Sequence, residues 1–262
     1  MNLSALLERP LTTYRRVFPS PDPRDPEVRL PLRTELFLVA HDDETGREYL
    51  DRQALCLGLA GAVLLELRLT RRIIIGRAYQ IRENAYTSDP GRILITDPNL
   101  YGDPLTDAAM MVLKRIGGPT YVTDFIRAFA TPDLYDRVRG DMLATGVLRC
   151  ETLRWLRLFR KDRYLPVRPA YPVRIRTWLR DLAAPRHPSD PDLELPEIPT
   201  VALAGLVTAL GLTRHLYHPE PGALHGRLMD IIGRLYDSTV RDVHAAVNPA
   251  SRHRSRRSNP GS

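Results

Sequence analysis

The residues with the most evident chemical potential lie between Arg149 and Arg163. Six cations, Arg149, Arg154, Arg157, Arg160, Lys161 and Arg163, stand there against Glu151 and Asp162, a net of +4, interleaved with Leu153, Trp155, Leu156, Leu158 and Phe159. Unpaired guanidiniums are too costly to bury, so such a segment keeps much of its surface outside the core. Rings beside cations suit a bilayer interface, with the aromatics at headgroup depth and the cations on lipid phosphates. As a strand the segment sets Leu153, Trp155, Arg157 and Phe159 on one face; as a helix it gathers Arg154, Arg157, Arg160 and Lys161 along one side. The period does not choose between them.

Other groupings point to structure rather than catalysis. His41, Asp42, Asp43 and Glu44 are consecutive, so they point in different directions, and DDETG is good turn chemistry. His215 and His218 sit near a helix C-terminus, where the dipole favours them. Asp103 and Asp107 open a helix, where carboxylates accept free amide hydrogens. No nucleophile elbow, phosphate loop, dinucleotide fingerprint or zinc-protease spacing occurs, so the expectation is a non-enzyme holding no metal and no cofactor.

Composition narrows the partners. The 262 residues are 43% hydrophobic and 26% charged, as in an ordinary globular chain, with a net charge of +7. Arginine supplies 36 of the 38 cations, Lys114 and Lys161 being the only lysines. Four of the positive charges, Arg252, Arg254, Arg256 and Arg257, fall in an acid-free tail with no apolar residues. Cys56 and Cys150 match no zinc or redox spacing and read as reduced core thiols. The longest apolar run, Ala54 to Leu65, has 12 residues, too few for a membrane span of about 20. The start carries no export signal, so the expectation is a cytoplasmic protein in reversible contact with the inner face of a membrane.

The fold expected to position these groups is mainly α, one helical-bundle domain with short peripheral β-hairpins. Residues 1–31 form a proline-rich leader, 32–247 the folded domain and 248–262 a disordered basic tail. A short helix over LRTELFLV precedes a fully apolar one from Gln53 to Leu69, in which Gly58 and Gly61 admit close neighbours. Arg71 to Ile75 and Arg92 to Thr96 predict a strand pair. Helices follow over Leu105 to Ile116, Tyr121 to Phe129, Leu134 to Ala144, Val173 to Leu182, Val201 to Tyr217 and Leu224 to Ala246.

Four stretches, LRTELFLVAHDDETGR, GLAGAVLLELRLTRRI, YGDPLTDAAMMVL and LATGVL, resemble the Golgi phosphoprotein 3 family from about Leu32 to Val247. The resemblance implies a mostly helical fold without catalytic activity. It also implies a hydrophobic β-hairpin, here about Leu148 to Leu165, that enters membranes and supports self-association. In eukaryotic members it implies phosphatidylinositol 4-phosphate binding and an adaptor role toward client proteins. The family's headgroup tryptophan falls at Asp51, its central-helix arginine at Ala60, and its arginine pair near Pro132 and Tyr135. Those four are absent here, and Arg52, Arg137 and Arg139 are nearby cations that could take their place.

The resulting expectation is a peripheral protein that binds acidic phospholipids through Arg154, Trp155, Leu156, Arg157, Leu158, Phe159, Arg160 and Lys161. The alternative is a winged-helix-like nucleic-acid binder, since helix, helix and basic hairpin follow one another from Tyr121 to Tyr164.

Overall fold

A helix that is apolar on every side has no face to give to water, so the run after Arg52 must lie at the centre of whatever forms around it. In the computed structural model it does. Residues 29–76, 80–82, 85–87, 91–155, 159–184, 198–216, 221–234 and 238–248 are described, those from 80 to 87 and from 153 to 161, with 221, 234 and 238, by their backbone alone. The chain runs α1 (Leu32–Val39), α2 (Arg52–Leu69), β1 (Ile73–Ile75), β2 (Gln80–Arg82), β3 (Ala85–Thr87), β4 (Arg92–Ile95), α3 (Pro104–Ile116), β5 (Thr120–Tyr121) and α4 (Val122–Phe129). It continues with α5 (Leu134–Ala144), β6 (Leu148–Trp155), β7 (Phe159–Pro166), α6 (Ala170–Ala183), α7 (Ile198–Ala209), α8 (Thr213–Leu216), α9 (Pro221–Arg234) and α10 (Ser238–Val247). The fold is mainly α.

Helix α2 is capped by Asp51, whose carboxylate accepts the Ala54 amide hydrogen at 2.8 Å, and every residue from Leu55 to Leu67 is buried. Helices α1, α3, α4, α5, α7 and α10 surround it. Its glycines permit that crowding, for a Cβ at Gly61 would come within 2.8 Å of Val247 and 3.1 Å of Val243. The expected strand pair forms: β1 and β4 run antiparallel with Ile74 opposite Leu94, and β5 adds a third strand beside β4.

Three expectations need correction. The helix expected from Val201 to Tyr217 ends at Ala209. Gly211 there takes φ 68° and closes the helix, with the Leu212 amide donating back to the Val207 carbonyl at 3.0 Å. The stretch from Leu224 to Ala246 is two helices, α9 starting early on Pro221 and α10 opening on Ser238, residue types that favour helix starts. Cys56 is buried as expected, but Cys150 is exposed, because it stands on β6 beyond the covered residues Val147 and Leu148.

The interior also holds charge. Arg33 on α1 is 4% exposed. Its guanidinium pairs with Glu66 of α2, with Asp103 at 2.7 Å and with Asp141 of α5 at 3.5 Å, and its amide donates to Glu66 at 2.8 Å. Burial opposes the charge on Arg33, but three carboxylates outweigh it and raise its pKa. For Glu66 the balance is reversed: burial outweighs Arg33 and its pKa rises too. Nearby, Glu35 is pushed up to about 7 by burial, against the pull of Arg29. Asp107 accepts the amide hydrogens of Gly102 at 2.8 Å and Tyr101 at 3.0 Å, and pairs with Arg72 at 3.5 Å.

Candidate functional site

The loop from Ala40 to Asp51 and the hairpin form one unit. Asp42 folds the loop by accepting from the Thr45 amide at 2.8 Å and its hydroxyl at 2.7 Å. Gly46, at φ 67°, lies so near β7 that a Cβ would meet the Tyr164 carbonyl at 2.7 Å. Asp43 holds both guanidinium nitrogens of Arg176 on α6 at 2.7 Å, and Arg163 reaches the Glu44 carbonyl at 3.4 Å. The carboxylates of Asp42 and Asp43 are thus spent on structure.

Strands β6 and β7 pair over eight residues each, from Leu148 opposite Pro166 to Trp155 opposite Phe159, and join no other strand among those described. The segment is therefore a hairpin, the strand period being the one realised. Its root is covered: Leu148 and Leu165 are buried. Both acids of the hairpin are engaged near that root. Glu151 binds Arg163 at 2.5 Å and Arg149 at 3.0 Å, and the Thr152 hydroxyl donates to Asp162 at 2.6 Å. From residue 153 to 161 the sequence holds Arg154, Arg157, Arg160 and Lys161 and no acid. Leu156, Arg157 and Leu158 lie outside the described residues, as do the side chains of Arg154, Trp155, Phe159, Arg160 and Lys161.

Beside the root, two of the three candidate headgroup cations come together. Arg52, at the start of α2, lies over the Tyr135 ring at 4.2 Å and reaches Asp136 at 3.3 Å. Arg139, one turn along α5, reaches the same Asp136 at 2.8 Å, lies 5.4 Å from the Tyr135 ring and stacks on Tyr164 of β7 at 4.3 Å. Arg52, Tyr135, Arg139 and Tyr164 make an alternating stack from α2 across α5 to the hairpin. Arg137 turns away and pairs with Asp133 on its own helix.

Sequence reasoning missed the group beneath this stack. His41 is buried, with Nδ1 2.6 Å from the Phe37 carbonyl and Nε2 3.0 Å from the Tyr135 hydroxyl. Burial raises the Tyr135 pKa, and the neighbouring Glu48 raises it further. Burial lowers the His41 pKa, so the ring is neutral at pH 7. Of the two helix-end histidines, His215 stacks on Tyr49 at 4.8 Å, and His218 lies outside the described residues.

Chemically, the face offers guanidinium edges held in place by rings, next to a root whose own acids are occupied. Such an arrangement takes phosphate or carboxylate oxygens. No helix among the described residues is long and apolar enough to cross a membrane. No curated protein matches the chain. The family model described as Golgi phosphoprotein 3 (GPP34) matches residues 32–252, the whole of the body around α2 together with the loop and the hairpin. The chain belongs to the Golgi phosphoprotein 3 family.

Proposed function

We propose that this protein is a non-catalytic, peripheral membrane module that binds acidic phospholipids. The far end of the hairpin enters the headgroup layer through Trp155, Leu156, Leu158 and Phe159, while Arg154, Arg157, Arg160 and Lys161 meet lipid phosphates. The Arg52 and Arg139 pair takes one further phosphate at the root. A phosphoinositide such as phosphatidylinositol 4-phosphate is the finer reading of that headgroup. On this reading the protein associates with itself through the hairpin, resides reversibly at the inner face of a membrane and holds client proteins there as an adaptor.

The observation that carries the reading is the division of charge along the hairpin: its acids are occupied near the root, and the run from 153 to 161 is cationic and acid-free. Four cations at about 1 kcal/mol each contribute about 4 kcal/mol at an anionic leaflet. Partial burial of Trp155, Leu156 and Phe159 adds roughly as much. The sum is an upper bound and corresponds to a roughly micromolar Kd, which self-association strengthens.

Co-sedimentation tests it. The protein is expected to pellet with phosphatidylcholine vesicles containing phosphatidylserine or phosphatidylinositol 4-phosphate. The double variant Trp155→Ala with Phe159→Ala is expected to bind about tenfold more weakly at constant salt. Equal binding by the double variant removes the insertion step. Tighter binding to duplex DNA than to vesicles, with a steep salt slope, favours the nucleic-acid alternative instead.

A further inference from the structure

Under the Arg52 and Arg139 pair lies a buried chain of titratable groups that lipid binding does not by itself require. With His41 neutral, Nδ1–H donates to the Phe37 carbonyl and Nε2 accepts from the Tyr135 hydroxyl. A proton added at Nε2 keeps this pair joined, because Nε2–H then donates to the Tyr135 oxygen, while Glu48 lies across the bridge from His41. Both ring nitrogens of His41 keep a partner in either state, which is what a reversible proton site inside a protein needs.

The charges facing His41 come from three elements. Glu48 lies across an antiparallel bridge from it, Arg52 comes from α2 and Arg139 from α5, with Asp136 joined to both arginines. The Phe37 ring covers the imidazole face at 4.1 Å. Burial and the two arginines together keep the ring neutral, against the opposing pull of the Phe37 carbonyl and Glu48. An anion bound by the arginines upsets that balance and makes a positive charge beneath them favourable.

We infer that His41 is the proton sensor of the lipid site: a lipid phosphate seated on Arg52 and Arg139 draws a proton onto His41, and mild acid in turn strengthens lipid binding. The two effects are equal by linkage. The inference rests on the lipid-phosphate reading of the arginine pair and adds its regulation.

Vesicles of phosphatidylcholine and phosphatidylglycerol test it, since that phosphodiester keeps a single charge across the histidine range. The wild-type protein is expected to bind about fivefold or more tightly at about pH 5.5 than at about pH 7.5. His41→Gln brings this ratio most of the way to that of a generic basic protein. Tyr135→Phe keeps the ring under the arginines but removes the acceptor for Nε2–H, and it lowers the ratio likewise, so the test survives if one variant fails to fold. A wild-type ratio near one, or an undiminished ratio in both variants, overturns the inference while the lipid reading stands. Absence of binding at both pH values removes the lipid reading and the inference together.

Discussion

Two arginine clusters in this molecule use the same groups to opposite ends. Around Arg33, one guanidinium meets three carboxylates in the interior, tying α1 to α2, to the start of α3 and to α5. Around Arg52 and Arg139, two guanidiniums share Asp136 at the surface, Arg52 also reaches Glu48 at 3.4 Å, and both rest on tyrosine rings. The Arg33 side chain is 4% exposed and that of Arg52 is 50% exposed. The first is spent on the fold; the second keeps open edges. An arginine-rich composition therefore does not mean one thing, and position relative to the core decides which use a given arginine serves.

The sharpest way to break this contrast is to remove Arg33. Arg33→Met leaves Glu66, Asp103 and Asp141 without their cation and is expected to cost about 3–5 kcal/mol in urea unfolding. A loss as small as that of an ordinary surface variant would put Arg33 in the same class as Arg52. Next in size is the buried acid Glu35, whose pKa is raised to about 7 in the folded chain. Its contribution to stability is complete below the unfolded carboxyl value and is lost as pH rises through about 7, by roughly 3 kcal/mol at most. Glu35→Gln carries no such charge, so it is expected to gain on the wild type in Tm between about pH 5 and pH 8. A difference that stays constant across that range refutes the assignment.

The smallest effect on folding comes from the surface pair. Arg52→Ala with Arg139→Ala is expected to change stability by about 1 kcal/mol or less while weakening binding to anionic vesicles by roughly 30-fold, two cations at about 1 kcal/mol each. Unfolding comparable to that of Arg33→Met would show that the pair is structural after all.

Much of the body was legible from residues alone. The apolar circumference of α2 announced its central place, and Leu134–Ala144 is bounded as its pattern and Gly146 suggest. Long apolar runs hid the breaks at Gly211 and before Ser238, because a glycine or serine between two helical patterns reads equally well as part of one. The basic segment satisfied both periods, so the ladder became plain only with its partner strand in register. The Arg33 network was not readable, since its partners are 33 and 70 positions away and a lone arginine in a helix looks solvated. At the site, Tyr135 and Arg139 are spaced as helical neighbours. The family resemblance grouped Arg52 with Arg139, but nothing in the sequence placed His41 beneath them, because the loop that returns over β7 does so.

The base of the hairpin is clamped to the body. An eight-residue strand is roughly 25 Å long, and the anchoring contacts, Gly46 against the Tyr164 backbone, Arg163 to Glu44 and Arg139 on Tyr164, gather at its base. Mechanically the base is a joint: a force on β7 is delivered to the 42–46 turn, and through Asp43 to Arg176 it passes into α6. A displacement of the hairpin base is thus passed on to the helix that follows it in the chain.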